Sequence, residues 1–315
     1  MRIVVLDAGT LGDDLDLTPL SRAGEAVIHD FTSPEELAQR IVDAEVIVTN
    51  KHKLNGTNLP SAPKLKLICV TATGYDGIDT VYCRDHGIGV CNIAGYSTQS
   101  VAQLTMAMAL SLCTHLDRYR GYVHSGAYTA SGIANHVTPG WHELSGKTWG
   151  IVGCGSIGGR VAKIAEAMGC RVIAYRRQKD PHFETVDLQT LCRQSDIISV
   201  HVPLNDQTRG LIGREELAMM EKHPILINVA RGAVTDEAAL AEAALSGQIS
   251  ALGVDVYSME PFGPEHPFQQ IVHLPNVCLT PHMAWGAVEA RNRCIREVAA
   301  NIEAFNAGEK RNRVV

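Results

Sequence analysis

The residues best spaced for chemistry are three glycines. The β-forming run Thr148-Trp149-Gly150-Ile151-Val152 leads directly into Gly153-Cys154-Gly155-Ser156-Ile157-Gly158, and a helical pattern over 159–168 follows. In a Gly-x-Gly-x-x-Gly between strand and helix, each glycine has a mechanical task. Gly153 permits the tight turn out of the strand, Gly155 lets backbone N–H groups approach a pyrophosphate, and Gly158 lets the helix pack closely on the sheet. The helix N-terminus adds about half a positive charge facing the phosphates. Gly153, Gly155, Ser156, Ile157 and Gly158 are therefore the candidate pyrophosphate contacts. A tight turn without a ligand is the competing reading. The second strand, Arg171–Tyr175, follows at the distance a dinucleotide fold needs and favours the first. Ser156 is not a hydrolase nucleophile, because Cys154 occupies the first glycine position of Gly-x-Ser-x-Gly. Cys154 itself reads as a packed thiol rather than an activated one.

Roughly 20 residues past the glycines, an NAD site usually presents a carboxylate to the ribose hydroxyls. Here position 176 is Arg, followed by Arg177. A cation there cannot accept the hydroxyl bonds but can bind a 2′-phosphate. The pair favours NADP over NAD, against the plainer reading of two solvated surface arginines.

Three further segments carry chemistry-bearing residues: 228–237 (Asn-Val-Ala-Arg-Gly-Ala-Val-Thr-Asp-Glu), 253–261 (Gly-Val-Asp-Val-Tyr-Ser-Met-Glu-Pro) and 279–285 (Leu-Thr-Pro-His-Met-Ala-Trp). With the glycine loop, and with 70–76 and 92–98 earlier in the chain, their order and content resemble the D-isomer-specific 2-hydroxyacid dehydrogenases. Within that family they are most similar to the glycerate dehydrogenase, or hydroxypyruvate (glyoxylate) reductase, branch. The resemblance spans essentially the whole chain. It implies hydride transfer between NAD(P)H and C2 of a small 2-oxo acid, with Arg231, Glu260 and His282 as the catalytic residues.

Each of these has a physical role to fill. The guanidinium of Arg231, just past a strand end, can hold a substrate carboxylate and polarise the neighbouring ketone. His282 can protonate the nascent alkoxide and take the proton back in the reverse direction. Glu260 can accept a hydrogen bond from the other imidazole nitrogen, orienting His282 and favouring its protonated form. Glu265 is a second carboxylate in the same loop, but the Asp-Val-x-x-x-Glu-Pro pattern assigns the role to Glu260. The resemblance also implies that Asp255 bonds the nicotinamide carboxamide and that His201 and Pro203 wall the adenine side. Val229, Ala230 and Ala284 would line the cofactor. Thr73, Gly74 and Tyr75 would grip the substrate carboxylate through backbone N–H groups, with Lys51 a further candidate contact. The family needs no metal, and no His-x-x-x-His pair with a nearby carboxylate occurs among the 13 histidines.

The elements that must position these residues follow from patterning. Short apolar runs alternate with amphipathic segments, which implies an α/β fold with doubly wound parallel sheets. Candidate strands are 3–6, 26–29, 46–49, 65–70 and 89–91, then 148–152, 171–175, 196–200, 225–229, 250–254 and 277–279. Helices are expected over 34–42, 98–116 and 286–305, and no periodicity marks 121–140. With 315 residues the chain holds about two domains. The expected architecture is two Rossmann/flavodoxin-like domains with a cleft between them. The substrate domain is assigned to 1–97 plus 287–315, because the last helix falls outside the second strand series. The dinucleotide-binding domain is assigned to 98–286.

Composition excludes other classes. Lys and Arg number 28 against 34 Asp and Glu, a net charge of −6, which argues against nucleic acid as a partner. No apolar stretch approaches the ~18 residues of a membrane span. Nine scattered cysteines without a Cys-x-x-Cys pair suggest buried thiols, hence a reducing, cytoplasmic setting. The resemblance implies a homodimer formed through the Rossmann domain, by the segment 102–141. It leaves two alternatives. One is a nucleotide-sensing, corepressor-like scaffold, disfavoured by the lack of a disordered extension for partner docking. The other is a phosphite-type dehydrogenase. The formate branch carries Gln where this chain has Glu260.

Overall fold

The computed structural model describes residues 1–178 and 181–315. The chain divides into two compact units, residues 1–97 with 285–315 and residues 98–284.

The first unit is built on five parallel strands: β1 (Arg2–Val5), β2 (Glu25–Ile28), β3 (Val46–Thr49), β4 (Leu67–Val70) and β5 (Gly89–Cys91). Their order is β2-β1-β3-β4-β5. Alternation along these strands feeds two layers, since successive side chains point to opposite faces. Ile3, Val5, Val46, Val48, Leu67 and Cys69 share one core with Leu20 of α1 (Thr18–Ala23) and with Ile295, Val298 and Ile302 of the chain's last helix, Val288–Asn306. Val4, Ile47, Ile68 and Val70 share the other with Leu37 and Ile41 of α2 (Pro34–Ile41) and Cys83 of α3 (Thr80–Asp85). Helix α2 begins where sequence chemistry says it must. Ser33 and Glu36 form a reciprocal capping box, with Pro34 at the first helical position.

The second unit opens with α4 (Thr98–Thr114), α5 (Leu116–His124) and α6 (Ala127–Ser131). Seven parallel strands follow: β6 (Thr148–Val152), β7 (Arg171–Tyr175), β8 (Glu184–Thr185), β9 (Ile197–Val200), β10 (Ile225–Asn228), β11 (Ala251–Val254) and β12 (Val277–Leu279). Their order is β12-β11-β10-β9-β6-β7-β8. Between them run α7 (Ser156–Ala167), α8 (Leu188–Gln194), α9 (Arg214–Ala218) and α10 (Glu237–Ser246), and α11 is the last helix, Val288–Asn306. The two-sheet, parallel α/β fold is the one expected.

Three local expectations are corrected. The helix expected over 98–116 is two helices, because His115 adopts a left-handed conformation (φ 54°) between α4 and α5. The stretch 121–140 contains the end of α5 and all of α6. Neither helix buries a residue, so neither carries a periodic apolar face to read. Tyr122 instead stacks on His136 at 4.1 Å between ring centroids. Helix α7 starts at Ser156, inside the glycine motif, because Gly155 is already its N-cap. The two-residue edge strand β8 left no sequence signal. No helix among the described residues is long and apolar enough to cross a membrane.

Ile302 is fully buried between α11 and the first sheet. Ile302→Ala should lower the unfolding free energy of that unit by about 2–5 kcal/mol, read as a fall in the denaturant midpoint.

Candidate active site

Because all seven strands of the second sheet are parallel, their carboxyl ends share one edge. The candidate residues leave that edge in spatial order: His282 after β12, Asp255 after β11, Arg231 after β10, His201 after β9, the glycine loop after β6 and Arg176 after β7. At about 4.8 Å per strand, the row from β12 to β7 is roughly 24 Å long. The strand order reverses between β9 and β6, and ligands of open α/β sheets bind at such switch points.

The glycine loop is built as its spacing demanded. Gly153 has φ +97°, and a Cβ there would lie 2.8 Å from the Val202 backbone nitrogen. A Cβ on Gly158 would lie 2.2 Å from the Gly153 carbonyl oxygen. At Gly155, by contrast, no heavy atom lies within 4 Å of the added Cβ. Protein packing therefore explains glycine at 153 and 158, while the space over Gly155 lies open to a ligand's approach. Gly155 caps α7 without a side-chain bond, so the first amides of that helix, from Ser156 onward, receive no cap from it. These features fit a pyrophosphate. Beyond β7, Arg176 is half-buried and Arg177 exposed.

Next to this loop, the Trp149 indole N–H donates to Ser199 Oγ (2.9 Å), and Ser199 Oγ lies 2.9 Å from His201 Nε2. His201 Nδ1 is buried with no hydrogen-bond partner among the described residues. Burial pushes the His201 pKa down to about 3, which keeps the ring neutral. Pro203 is exposed, and its carbonyl accepts from Thr208 Oγ1.

Arg231 stands at the first turn beyond β10, half-buried, with its Nη1 donating to the Ala230 carbonyl (2.8 Å). The fully buried Asn228 braces this turn. Its Oδ1 accepts from the Ala230 N–H (3.0 Å) and its Nδ2 donates to the Arg231 carbonyl (3.0 Å). Gly232 follows, and a Cβ there would lie 2.1 Å from the Tyr257 carbonyl carbon. Only glycine lets the Arg231 turn press on the backbone that leads to Glu260.

Glu260 and His282 meet. His282 Nδ1 lies 2.6 Å from Glu260 Oε2, and Glu260 Oε1 accepts from the Tyr257 N–H (3.1 Å). Both side chains are about a quarter exposed (23% and 27%), enough to stay within reach of solvent or ligand. Glu265, the other carboxylate of that loop, is exposed. His282 has φ 54°, a left-handed conformation that a residue with a Cβ adopts at a cost. The buried Asp255 carboxylate secures this turn. Oδ1 accepts from Thr280 Oγ1 (2.6 Å) and the Met283 N–H (2.8 Å), and Oδ2 accepts from the Ala284 N–H (2.9 Å). Burial raises the Asp255 pKa while these bonds lower it. Its carboxylate is thus directed first to the turn carrying His282, a task the sequence did not reveal. Tyr257 adds a further tie, its hydroxyl donating to the Thr280 carbonyl (2.9 Å), and burial pushes that hydroxyl's pKa well up. Val229 and Ala284 are buried and Ala230 half-buried along the same edge.

The remaining candidates belong to the first unit. Thr73, Gly74 and Tyr75 follow β4, with Thr73 Oγ1 donating to the Ile93 carbonyl (2.9 Å). Lys51 follows β3, its N–H held by the buried Asp7 carboxylate (2.7 Å). These loops leave the carboxyl edge of their own parallel sheet. No group of three or more His, Cys, Asp or Glu placed to hold a metal ion occurs among the described residues.

Residues 106–284 match the model of the D-isomer specific 2-hydroxyacid dehydrogenase family, NAD binding domain. The chain is 36% identical to a hydroxypyruvate reductase of Blautia hydrogenotrophica over 99% of both chains. It superposes on the D-lactate dehydrogenase of Aquifex aeolicus, solved with NAD and lactic acid, with a TM-score of 0.87, 29% identity and 98% and 96% of the two chains covered. It also superposes on an acyclic imino acid reductase solved with NADPH and D-Arg, with a TM-score of 0.89, 27% identity and full coverage of both. The chain belongs to the D-isomer specific 2-hydroxyacid dehydrogenase family. It is an oxidoreductase of the CH–OH group that uses a nicotinamide cofactor.

The neutral His201 gives a pH prediction. Its folded pKa lies below the ordinary value of about 6.5, so between pH ~6.5 and ~3 the unfolded chain binds a proton that the folded chain refuses. Stability from this site is therefore present above pH 6.5 and lost as pH falls toward 3. In His201→Gln, the fall in stability over that window should shrink by up to a few kcal/mol, measured by chemical denaturation at successive pH values. An unchanged acid limb refutes the assignment.

Proposed function

We infer that the chain reduces a small 2-oxo acid of the hydroxypyruvate or glyoxylate type to the D-2-hydroxy acid, and catalyses the reverse reaction. The observation that carries this is the Glu260–His282 hydrogen bond on the same sheet edge as Arg231 and the glycine loop. The bound nicotinamide supplies or accepts the hydride at the substrate's C2. Arg231 holds the substrate carboxylate and draws electron density from the ketone. With Nδ1 engaged by Glu260, His282 gives a proton from Nε2 to the developing alkoxide, and Glu260 steadies the imidazolium before that transfer. Thr73, Gly74 and Tyr75, with Lys51, contribute the first unit's contacts to the substrate. The Blautia relative's name supports the substrate class, and the Gly155 space and α7 N-terminus support the cofactor's pyrophosphate.

NADP is the preferred form of the cofactor in this reading, because Arg176 stands where a ribose-binding carboxylate would stand for NAD. The protein also pairs with a second copy through 102–141, a stretch whose Leu116, Val123, Ile133, Val137 and Trp141 expose large apolar surface. Nine cysteines in thiol form suit a cytoplasmic setting.

His282→Ala should lower turnover of hydroxypyruvate and glyoxylate by at least about 100-fold, while titration of nicotinamide fluorescence still detects cofactor binding. Near-normal turnover sinks the reading. Steady-state rates with NADH and NADPH across glyoxylate, hydroxypyruvate, pyruvate and a bulky 2-oxo acid then rank the substrates and the cofactors. Equal kcat/KM for the two cofactors removes the role given to Arg176. Sedimentation analysis should return twice the chain mass, and Trp141→Glu with Val137→Glu should return the mass of one chain.

A further inference from the structure

A second carboxylate–imidazole pair lies behind the first. Glu237, at the start of α10, is 9% exposed at its side chain and His266 is 7% exposed, with His266 Nε2 lying 3.1 Å from Glu237 Oε2. The Phe268 N–H donates to His266 Nδ1 (3.2 Å), so that nitrogen carries no proton and the ring proton on Nε2 is the one given to Glu237. The same carboxylate accepts the Ser258 N–H at Oε1 (2.8 Å) and the Ser258 hydroxyl at Oε2. The His266 ring is wedged among Phe262, Phe268 and Tyr257, with centroids 4.8, 5.0 and 6.1 Å away. Its orientation is thus set by packing as well as by hydrogen bonds.

The position of this pair along the chain gives it a purpose. Glu237 follows Arg231 by six residues, and Ser258 precedes Glu260 by two. Tyr257, next to Ser258, donates its N–H to the Glu260 oxygen that does not face His282. From Glu237 the line runs to the Ser258 backbone, through the Tyr257 N–H to Glu260 Oε1, and from Glu260 Oε2 to His282 Nδ1. On its other side the loop rests on Gly232. A pull on Ser258 therefore moves the carboxylate that aims His282.

We propose that Glu237, backed by His266 and acting through Ser258, is a positioning residue that sets the register of Glu260 against His282. Glu237 does not touch the reacting atoms. It ties the segment carrying Arg231 to the loop carrying Glu260, so that the two groups keep one spacing through the reaction. A displacement of about 1 Å at such a site is enough to lower turnover on the order of 100-fold. Gln at 237 keeps the shape but replaces one acceptor oxygen with a donor facing groups that also donate.

This inference rests on the reading of Glu260 and His282 given above, and a double-mutant cycle separates the two. Turnover is measured with hydroxypyruvate at saturating NADPH for the full-length wild type, Glu237→Gln, Glu260→Gln and the double variant, with cofactor affinity taken from nicotinamide fluorescence. Glu237→Gln should lower kcat about 10- to 100-fold, with KM and cofactor affinity changed less than threefold. In the Glu260→Gln background the same change should cost less than about threefold, because the residue it positions is gone. Equal loss in both backgrounds means a merely structural role and overturns the proposal, as does unchanged kcat in Glu237→Gln. If Glu260→Gln alone leaves turnover intact, it is the catalytic reading that fails. Ser258→Ala keeps the backbone N–H bond and loses only the hydroxyl's. It should show a smaller kcat loss with the same dependence on Glu260, and it serves where Glu237→Gln fails to fold. Glu237→Asp, which keeps the charge on a shorter arm, should recover part of the lost kcat.

Discussion

The backbone approach at Gly232 is the constraint on which the site depends. The turn after β10 and the loop after β11 touch where a Cβ has no room, 2.1 Å from the Tyr257 carbonyl carbon. This contact puts Arg231 on one side of the junction and Glu260 on the other. Hydrogen bonds then hold what the contact permits, Asn228 beneath the Arg231 turn and Glu237 beneath Ser258. The Arg231 guanidinium and the carboxylate that meets His282, from different strands, are thereby fixed without a covalent link. Rigid strand ends supply that kind of support better than mobile loops.

The His282 turn shows how the strain is met. A non-glycine residue in the left-handed region costs on the order of 1–3 kcal/mol. Hydrogen bonds to a charged group contribute roughly 1.5–3 kcal/mol each, and Asp255 makes three to this turn. The turn is thus over-determined by a buried carboxylate, and the strain persists because its surroundings hold it. Burial raises the Asp255 pKa. The bonds from Thr280, Met283 and Ala284 act in the other direction, so the carboxylate and the turn stabilise each other.

Local chemistry was legible in the sequence wherever one short segment carried the whole signal. The Gly153–Gly158 loop and the strand that feeds it were of this kind. The Glu260–His282 contact was legible only through motif order, since 22 residues separate the partners and no periodicity links them. What stayed hidden depended on tertiary packing. His266 lies five residues past Pro261 in a loop without pattern, and only the fold brings its ring to Glu237. Asp255 read as a ligand contact, because nothing local shows that both its oxygens turn toward 280–284. Helices α5 and α6 were missed because their helicity serves no buried face. The left-handed His282 carried no glycine to announce it.

The overall charge was the poorest guide. A net −6 suggests a surface that repels anions, yet a nicotinamide dinucleotide and a 2-oxo acid are both anions. The conflict dissolves on the scale of screening. At physiological ionic strength exposed charges act over about 8 Å, so distant acidic residues contribute little at the sheet edge. Short-range sources dominate there: the α7 N-terminus with amides that Gly155 leaves uncapped, the guanidinium of Arg231 and the half-buried Arg176. The neutral His201 adds no charge to that field, and its Nδ1 is buried without a hydrogen-bond partner among the described residues. The positive groups at this edge are thus set by backbone geometry and two or three side chains, independent of the sum over the chain.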